Sequence, residues 1–130
     1  MNVGRLLVET ARDSAPLREL IHPIEPENLT LRAASPLMMK LWGHGIQALT
    51  IRSWIFVDPR YLNGERHRLA RLAIHELVHA RQWKRLGFFG FLRRYLTAYL
   101  AGRRRGLSHR ESYLAIPLEV EARQVELEVP

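Results

Sequence analysis

The sequence predicts a single helix-rich α+β domain, in which a small sheet lies beside one central helix and another helix closes the chain. Its 130 residues suit one hydrophobic core, because single domains usually hold roughly 100–200 residues. Residues 48–57 are rich in β-branched and aromatic side chains, which favour strands. Apolar residues then occupy most of the circumference of a helical pattern at 63–86, as expected for a central element.

The composition is that of an ordinary folded protein, with 47% hydrophobic and 25% charged residues. The longest apolar region, 88–100, contains Arg93 and Arg94 and is shorter than the roughly 20 residues of a membrane span. Residues 1–20 scatter charged side chains and lack the apolar core of a secretory signal. We therefore expect a cytoplasmic protein without a membrane span.

The absence of cysteine limits the possible metal chemistry, because neither a disulfide nor a thiolate zinc site can form. Any metal ion must be held by histidine and carboxylate groups. The net charge of +7 comes almost wholly from arginine. It leaves three kinds of partner open: nucleic acid, an acidic substrate or an anionic membrane surface.

Residues 1–36 are predicted to be an irregular N-terminal region with short elements, because prolines punctuate it. They are Pro16, Pro23, Pro26 and Pro36. Residues 29–33 have an extended pattern. Ser35 and Pro36 then form the cap and first residue of a short helix that ends near Trp42, before a break at residues 43–45.

Residues 46–128 are predicted to form the core of this single domain, 1–130. Arg52 and Ser53 divide the strand-rich run into two strands or one bent strand. Asp58-Pro59 ends this run with a cap and a helix-initiating proline, and a long helix is predicted from Asn63-Gly64 to about Leu86, with a stop at Gly87. A further helix is predicted at 88–104 and is closed by Gly106. A capping box at Ser108 and Glu111 then opens another helix, which restarts at Pro117.

The central helix contains the HExxH pattern His75-Glu76-Leu77-Val78-His79. Two histidines four residues apart project from one face of a helix, so one ion can reach both. Zinc needs neutral imidazole ligands, and Glu76 projects beside such an ion rather than coordinating it. There it can accept a proton from a metal-bound water, whose pKa falls towards about 7.

A catalytic zinc site usually has three protein ligands, so one more must come from elsewhere in the chain. The best candidates are two carboxylates, Glu119 and Glu121, in a helix that Pro117 can start. They face opposite ways, so at most one is a ligand. Glu119 shares its helix face with Ala122 and Arg123, which favours Glu119.

These two motifs resemble those of the gluzincin class of zinc metallopeptidases, especially its minimal single-domain members. The resemblance covers roughly residues 54–126, with HELVHARQW at 75–83 and Tyr-x3-Pro-x-Glu-x-Glu-Ala at 113–122. It implies a zincin-like fold with a central HExxH helix and a C-terminal glutamate helix. Related zincins with a Glu-x-x-Ala-Asp pattern use the first glutamate as a ligand, which corresponds to Glu119, although Arg123 replaces the aspartate.

The resemblance implies a zinc-dependent peptidase that hydrolyses peptide bonds of a peptide or protein substrate, with Glu76 as general base. In such folds an extended substrate binds along a strand above the helix, and residues 53–57 are predicted to form that rim. Tyr113 ranks first as an oxyanion stabiliser because it precedes the glutamate motif, and Tyr95, Tyr99 and His109 are alternatives.

The alternative is a zinc-stabilised module that binds protein or nucleic acid without peptidase activity. A further alternative, suggested by the arginine excess, is a zinc-dependent, nucleic-acid-associated protein that resembles SprT-like proteases. Those proteins use a third histidine as ligand, however, and no HxxxH-like partner follows residue 79. This counts against the SprT-like alternative, and the gluzincin-like peptidase is the favoured hypothesis.

Overall fold

In the computed structural model, which describes residues 1–42 and 46–129, short helices and one small sheet surround a long helix. The elements are α1 (Val3–Glu9), α2 (Ala15–Ile21), a 3₁₀ turn (Pro26–Asn28), β1 (Thr30–Ala33), α3 (Pro36–Trp42), β2 (Ala48–Ile51), β3 (Trp54–Val57), α4 (Pro59–Leu62), α5 (Arg66–Arg104), α6 (His109–Leu114) and α7 (Pro117–Glu128). The helix-rich α+β class is thus confirmed. None of the described helices combines the length and apolarity needed to cross a bilayer.

The first third of the chain is more regular than its prolines predict. The Asn2 side chain caps α1 by accepting from the Arg5 amide at 3.0 Å, and Ser14 caps α2 by accepting from the Leu17 amide at 3.2 Å. Pro16 lies in the first turn of α2, where no backbone donor is needed, so it starts a helix instead of preventing one. The strand and the short helix expected next are present, while the expected break at 43–45 lies outside the described residues.

The sheet has the order β1-β3-β2, with β1 parallel to β3 and β2 antiparallel to it. The run 48–57 therefore forms two strands, joined by a turn in which Arg52 has a positive φ of 55°. Because β3 is paired along both edges, the prediction that residues 53–57 form a rim for an added substrate strand is wrong. Among the described elements, β2 is the edge strand that lies against α5.

Helix α5 starts at Arg66, slightly later than the Asn63-Gly64 pair predicts. The Glu65 carboxylate caps it by accepting from the His67 and Arg68 amides, both at 2.8 Å. Gly87 interrupts the helix with φ 73° and ψ 171°, a conformation that favours glycine, so the predicted stop is confirmed as a sharp break. We call residues 66–86 the first arm of α5 and residues 88–104 its second arm.

The main core lies between α1, α2, the sheet and the first arm of α5. Its largest fully buried side chains include Leu6, Leu7, Leu17, Ile21, Ile55, Leu69, Ile74 and Leu77. A smaller cluster around Phe91, Ile116 and Leu118 joins the second arm to α6 and α7. Through this second cluster the chain folds back, so that α7 packs along the helix carrying the HExxH pattern.

The predicted capping box at the start of α6 is confirmed. The Glu111 amide donates to the Ser108 hydroxyl at 3.1 Å, and the Ser108 amide donates to the Glu111 carboxylate at 3.0 Å. Gly102 lets α6 approach the second arm closely, since a β-carbon there would lie 3.0 Å from the hydroxyl oxygen of Ser112. These contacts hold the α6–α7 hairpin in place.

Candidate metal centre

His75, Glu76 and His79 lie on the first arm of α5 and are nearly buried, with exposed fractions of 9%, 5% and 6%. The two imidazole rings are one helical turn apart, with centroids separated by 5.0 Å. Each of the three residues can bring one ligand atom within 4.8 Å of the others. This group could therefore hold a metal ion.

Glu119 lies in the first turn of α7 and is 3% exposed. One carboxylate oxygen is 3.2 Å from the Nε2 atom of His75, and the other is 2.7 Å from the Nε2 atom of His79. A single carboxylate thus spans both imidazoles. Glu121, the competing candidate, contacts neither ring and accepts instead from the Gln82 side-chain amide at 3.1 Å.

The Nδ1 atom of each imidazole also has a hydrogen-bond partner. The Nδ1 atom of His79 lies 2.8 Å from the amide oxygen of Gln82, and that of His75 lies 3.1 Å from the Glu126 carboxylate. Such contacts favour a proton on Nδ1, so Nε2 is the nitrogen available to a metal ion once the ion displaces the proton shared with Glu119. Gln82 is itself fixed, because its amide nitrogen donates to the Leu118 carbonyl at 3.0 Å.

Glu76 is held on the sheet side of the helix. The hydroxyl of Thr50, a buried residue of β2, donates to one carboxylate oxygen of Glu76 at 2.6 Å. The other oxygen has no hydrogen-bond partner within residues 1–42 and 46–129. The sheet therefore orients Glu76 while leaving one oxygen able to accept a proton.

The charges in the site depend on one another. Burial alone would lower the pKa of His75, but hydrogen bonds to Glu119 and Glu126 and the charge of Glu76 outweigh it and raise the pKa to about 10. Burial likewise opposes the charged form of His79, and contact with Glu119 raises its pKa. Burial would raise the pKa of Glu119, but the two imidazoles hold it well below its usual range. A metal ion that binds here must therefore displace imidazole protons.

A cleft of about 710 Å³ opens beside these residues, between β2, α5, α6 and α7. Its walls include His75, Glu76 and Tyr113, so a molecule in the cleft would reach the metal centre. Tyr95 approaches Glu119 at 3.5 Å but does not line this cleft. Of the remaining alternatives, His109 also lines the cleft, and its Nδ1 atom lies 2.7 Å from the Tyr99 hydroxyl, which forms a hydrogen bond with it.

Three residues that support the site were missed by the sequence analysis: Thr50, Gln82 and Glu126. Glu126 follows Glu119 by seven residues, two helical turns later on the same face, and Gln82 follows His79 by three. Those spacings are signals that the sequence does contain. Thr50 reaches Glu76 only through the packing of β2 on α5, so no local pattern indicates it.

A Gln82→Met variant is expected to bind zinc about 10–100-fold more weakly than the wild type, because it loses the acceptor that orients His79 at nearly unchanged volume. The measurement is competition for zinc with a chromophoric chelator. Gln124→Met is the matched control, since Gln124 is exposed on α7. Equal zinc affinity in both variants would show that Gln82 has no role in the metal centre.

No known family model matches the chain, and it has no significant match among curated proteins or solved structures. The likeness to gluzincins therefore rests on the two sequence motifs. A site at these motifs is supported by the contacts of the Glu119 carboxylate with His75 and His79, which bring the three residues into one buried cluster.

Proposed function

We propose that the chain is a gluzincin-like zinc metallopeptidase with a zincin-like fold, in which His75, His79 and Glu119 hold the ion and Glu76 is the general base. The observation that carries this proposal is the position of the Glu119 carboxylate, with one oxygen against each Nε2 atom. Glu76 has a different environment, because the Thr50 hydroxyl holds it on the sheet side.

The donor set suits zinc. Two imidazoles and a carboxylate are the ligands of many catalytic zinc sites, which leave a further position for water or substrate. Two ligand atoms, each about 2.1 Å from a tetrahedral ion, are roughly 3.4 Å apart. The observed separations of 3.2 and 2.7 Å between Glu119 and the imidazoles are near that value. The shorter contact needs to open by less than about 1 Å to admit the ion.

Bound zinc would supply Lewis acidity, which lowers the pKa of water and stabilises negative charge on a substrate carbonyl oxygen. The protein's own part is proton transfer. The free oxygen of Glu76 would accept a proton from the attacking water and pass it to the leaving amine. The hydrogen bond from Thr50 fixes the carboxylate for this task.

Tyr113 is the proposed oxyanion stabiliser, because it lines the cleft together with His75 and Glu76. Burial and the negative charges of Glu119 and Glu76 raise the pKa of its phenol, so it remains a hydrogen-bond donor at neutral pH. An extended substrate would pair with the edge strand β2, which contributes to the same cleft.

The proposal is tested by incubating the zinc-loaded chain with a peptide library of mixed sequence and identifying products by mass spectrometry. The expected result is new peptide termini that a zinc chelator abolishes and added zinc restores. If the chain binds zinc but yields no chelator-sensitive products, the non-enzymatic alternative, a zinc-stabilised binding module, takes the place of the peptidase.

A further inference from the structure

Four arginines line the cleft beside the metal centre: Arg68, Arg71, Arg110 and Arg123. Two belong to the first arm of α5, and the others belong to α6 and α7. Three separate elements thus contribute arginines to the wall of one concave space. The net charge of +7 comes almost wholly from arginine, and the fold places these four arginines around one cleft.

Among the residues that the structure describes, these four arginines form no ion pair with a carboxylate. Within residues 1–42 and 46–129, every arginine–carboxylate ion pair involves a different arginine: Arg5, Arg18, Arg60 or Arg66. Two glutamates also line the cleft: one oxygen of Glu76 accepts from Thr50, and one oxygen of Glu126 contacts His75. Four guanidinium groups outnumber these two carboxylates, so the cleft carries an excess of positive charge, and low-dielectric walls strengthen such a field.

Arg123 is particularly suited to donate a hydrogen bond to a ligand in the cleft. One of its terminal nitrogens donates to the Leu114 carbonyl, which fixes the guanidinium group. The other terminal nitrogen is buried and has no hydrogen-bond partner within the described chain. A buried donor without a partner destabilises the protein, and an acceptor oxygen entering the cleft would remove that penalty.

The arginines lie close to the proposed metal ligands along their helices. Arg71 precedes His75 by four residues, one helical turn or about 6 Å along α5. Arg123 follows Glu119 by four residues on α7 and precedes Glu126 by three. Arg71 and Arg123 thus each lie about one helical turn along the backbone from a proposed metal ligand.

We propose that this cleft is a carboxylate-binding subsite, which selects peptides that carry a carboxylate close to the bond placed at the metal centre. The carboxylate is either an acidic side chain or the free C-terminus of the peptide. Arginine forms paired, charge-assisted hydrogen bonds with carboxylates, so several convergent guanidinium groups discriminate strongly against neutral peptides. This inference names the substrate class of the proposed peptidase. It rests on the proposed function, because that function makes the neighbouring residues a peptidase site.

A peptide is favoured over nucleic acid as the source of the anion. The volume of about 710 Å³ is that of a pocket for a short segment or small molecule. Nonspecific binding of single strands instead uses an extended basic groove with aromatic platforms for successive bases. The arginines here converge on one space that also contains His75 and Glu76.

The test measures peptide binding separately from hydrolysis. Dansylated pentapeptides with either Glu or Gln at an internal position, and with either a free or an amidated C-terminus, are titrated against the zinc-loaded Glu76→Gln chain. The protein variants add Arg71→Gln, Arg110→Gln or Arg71→Lys. The control is Arg94→Gln, which removes the same charge from an exposed position outside the cleft.

We expect a carboxylate peptide to bind at least about tenfold more tightly than its neutral counterpart, since one charge-assisted contact is worth about that factor. Arg71→Gln and Arg110→Gln should each reduce this preference, while Arg94→Gln should not. Arg71→Lys should restore it only in part, because lysine lacks the paired geometry. Preference for the internal Glu identifies an acidic side chain as the ligand, and preference for the free terminus identifies the C-terminal carboxylate.

Equal affinity for carboxylate and neutral peptides would overturn the inference even if the wild type cleaves peptides. Tighter binding of a single-stranded oligonucleotide than of any peptide, lost in Arg71→Gln, would also overturn it in favour of nucleic acid. Conversely, arginine-dependent carboxylate binding without hydrolysis by the wild type would support the subsite and contradict the proposed peptidase.

Discussion

A Glu76→Gln variant is expected to hydrolyse peptides about 10²–10⁴-fold more slowly than the wild type while keeping its zinc, because general-base catalysis contributes about that factor. Glutamine has almost the same size and still offers an oxygen to the Thr50 hydroxyl, so the packing of β2 on α5 should survive. Its amide cannot accept the proton. The measurement is the initial rate on a peptide that the wild type cleaves, together with the zinc content of both proteins.

Glu128→Gln is the matched control, since Glu128 is an exposed residue near the end of α7. It should retain both activity and zinc. Unchanged hydrolysis in Glu76→Gln would contradict the role of Glu76 as base. Loss of zinc in Glu76→Gln would instead make Glu76 a ligand, since His75, Glu76 and His79 lie near enough to form a metal-binding group themselves.

The second large effect is expected at Glu119. Its replacement by alanine removes the carboxylate that contacts both imidazoles, so zinc affinity should fall at least about 100-fold. This loss exceeds the effect expected for a residue such as Gln82, which contacts a ligand but does not bind the ion. Glu121→Ala should reduce zinc affinity by less than about tenfold, because Glu121 touches the site only through Gln82. The measurement is chelator competition on the wild type and both variants.

Circular dichroism of the metal-free proteins serves as the folding control for this pair. Helical spectra equal to that of the wild type would assign the loss of zinc to the missing ligand instead of to unfolding. If Glu121→Ala loses zinc and Glu119→Ala retains it, then the assignment of Glu119 as third ligand is wrong, and α7 binds the ion through its other carboxylate.

Several features of the fold follow from short-range sequence signals. The break at Gly87 needs only a residue that tolerates positive φ, and the capping box needs only Ser108 and Glu111. The HExxH spacing likewise brings His75 and His79 together because helix geometry alone determines which residues are neighbours. These are the elements that could be predicted most closely.

Features that depend on distant parts of the chain could not be predicted in this way. The pattern at 48–57 predicts two strands or one bent strand but not the order of the sheet, which depends on β1 pairing with the other edge of β3. The prolines of the first third suggested an irregular chain, but Pro16 lies in the first turn after the cap Ser14, where proline starts a helix. The arginine excess was evident, whereas its concentration in one cleft follows from how α5, α6 and α7 pack.

The most direct test of a metal centre at His75, His79 and Glu119 is the zinc content of the purified wild-type chain. It is measured by elemental analysis after zinc loading and exhaustive dialysis against metal-free buffer. We predict one zinc per chain, retained through dialysis, because two imidazoles and one carboxylate meet at a buried point. A metal-free chain would contradict the account and would leave the three residues as a buried ion-pair cluster without a metal.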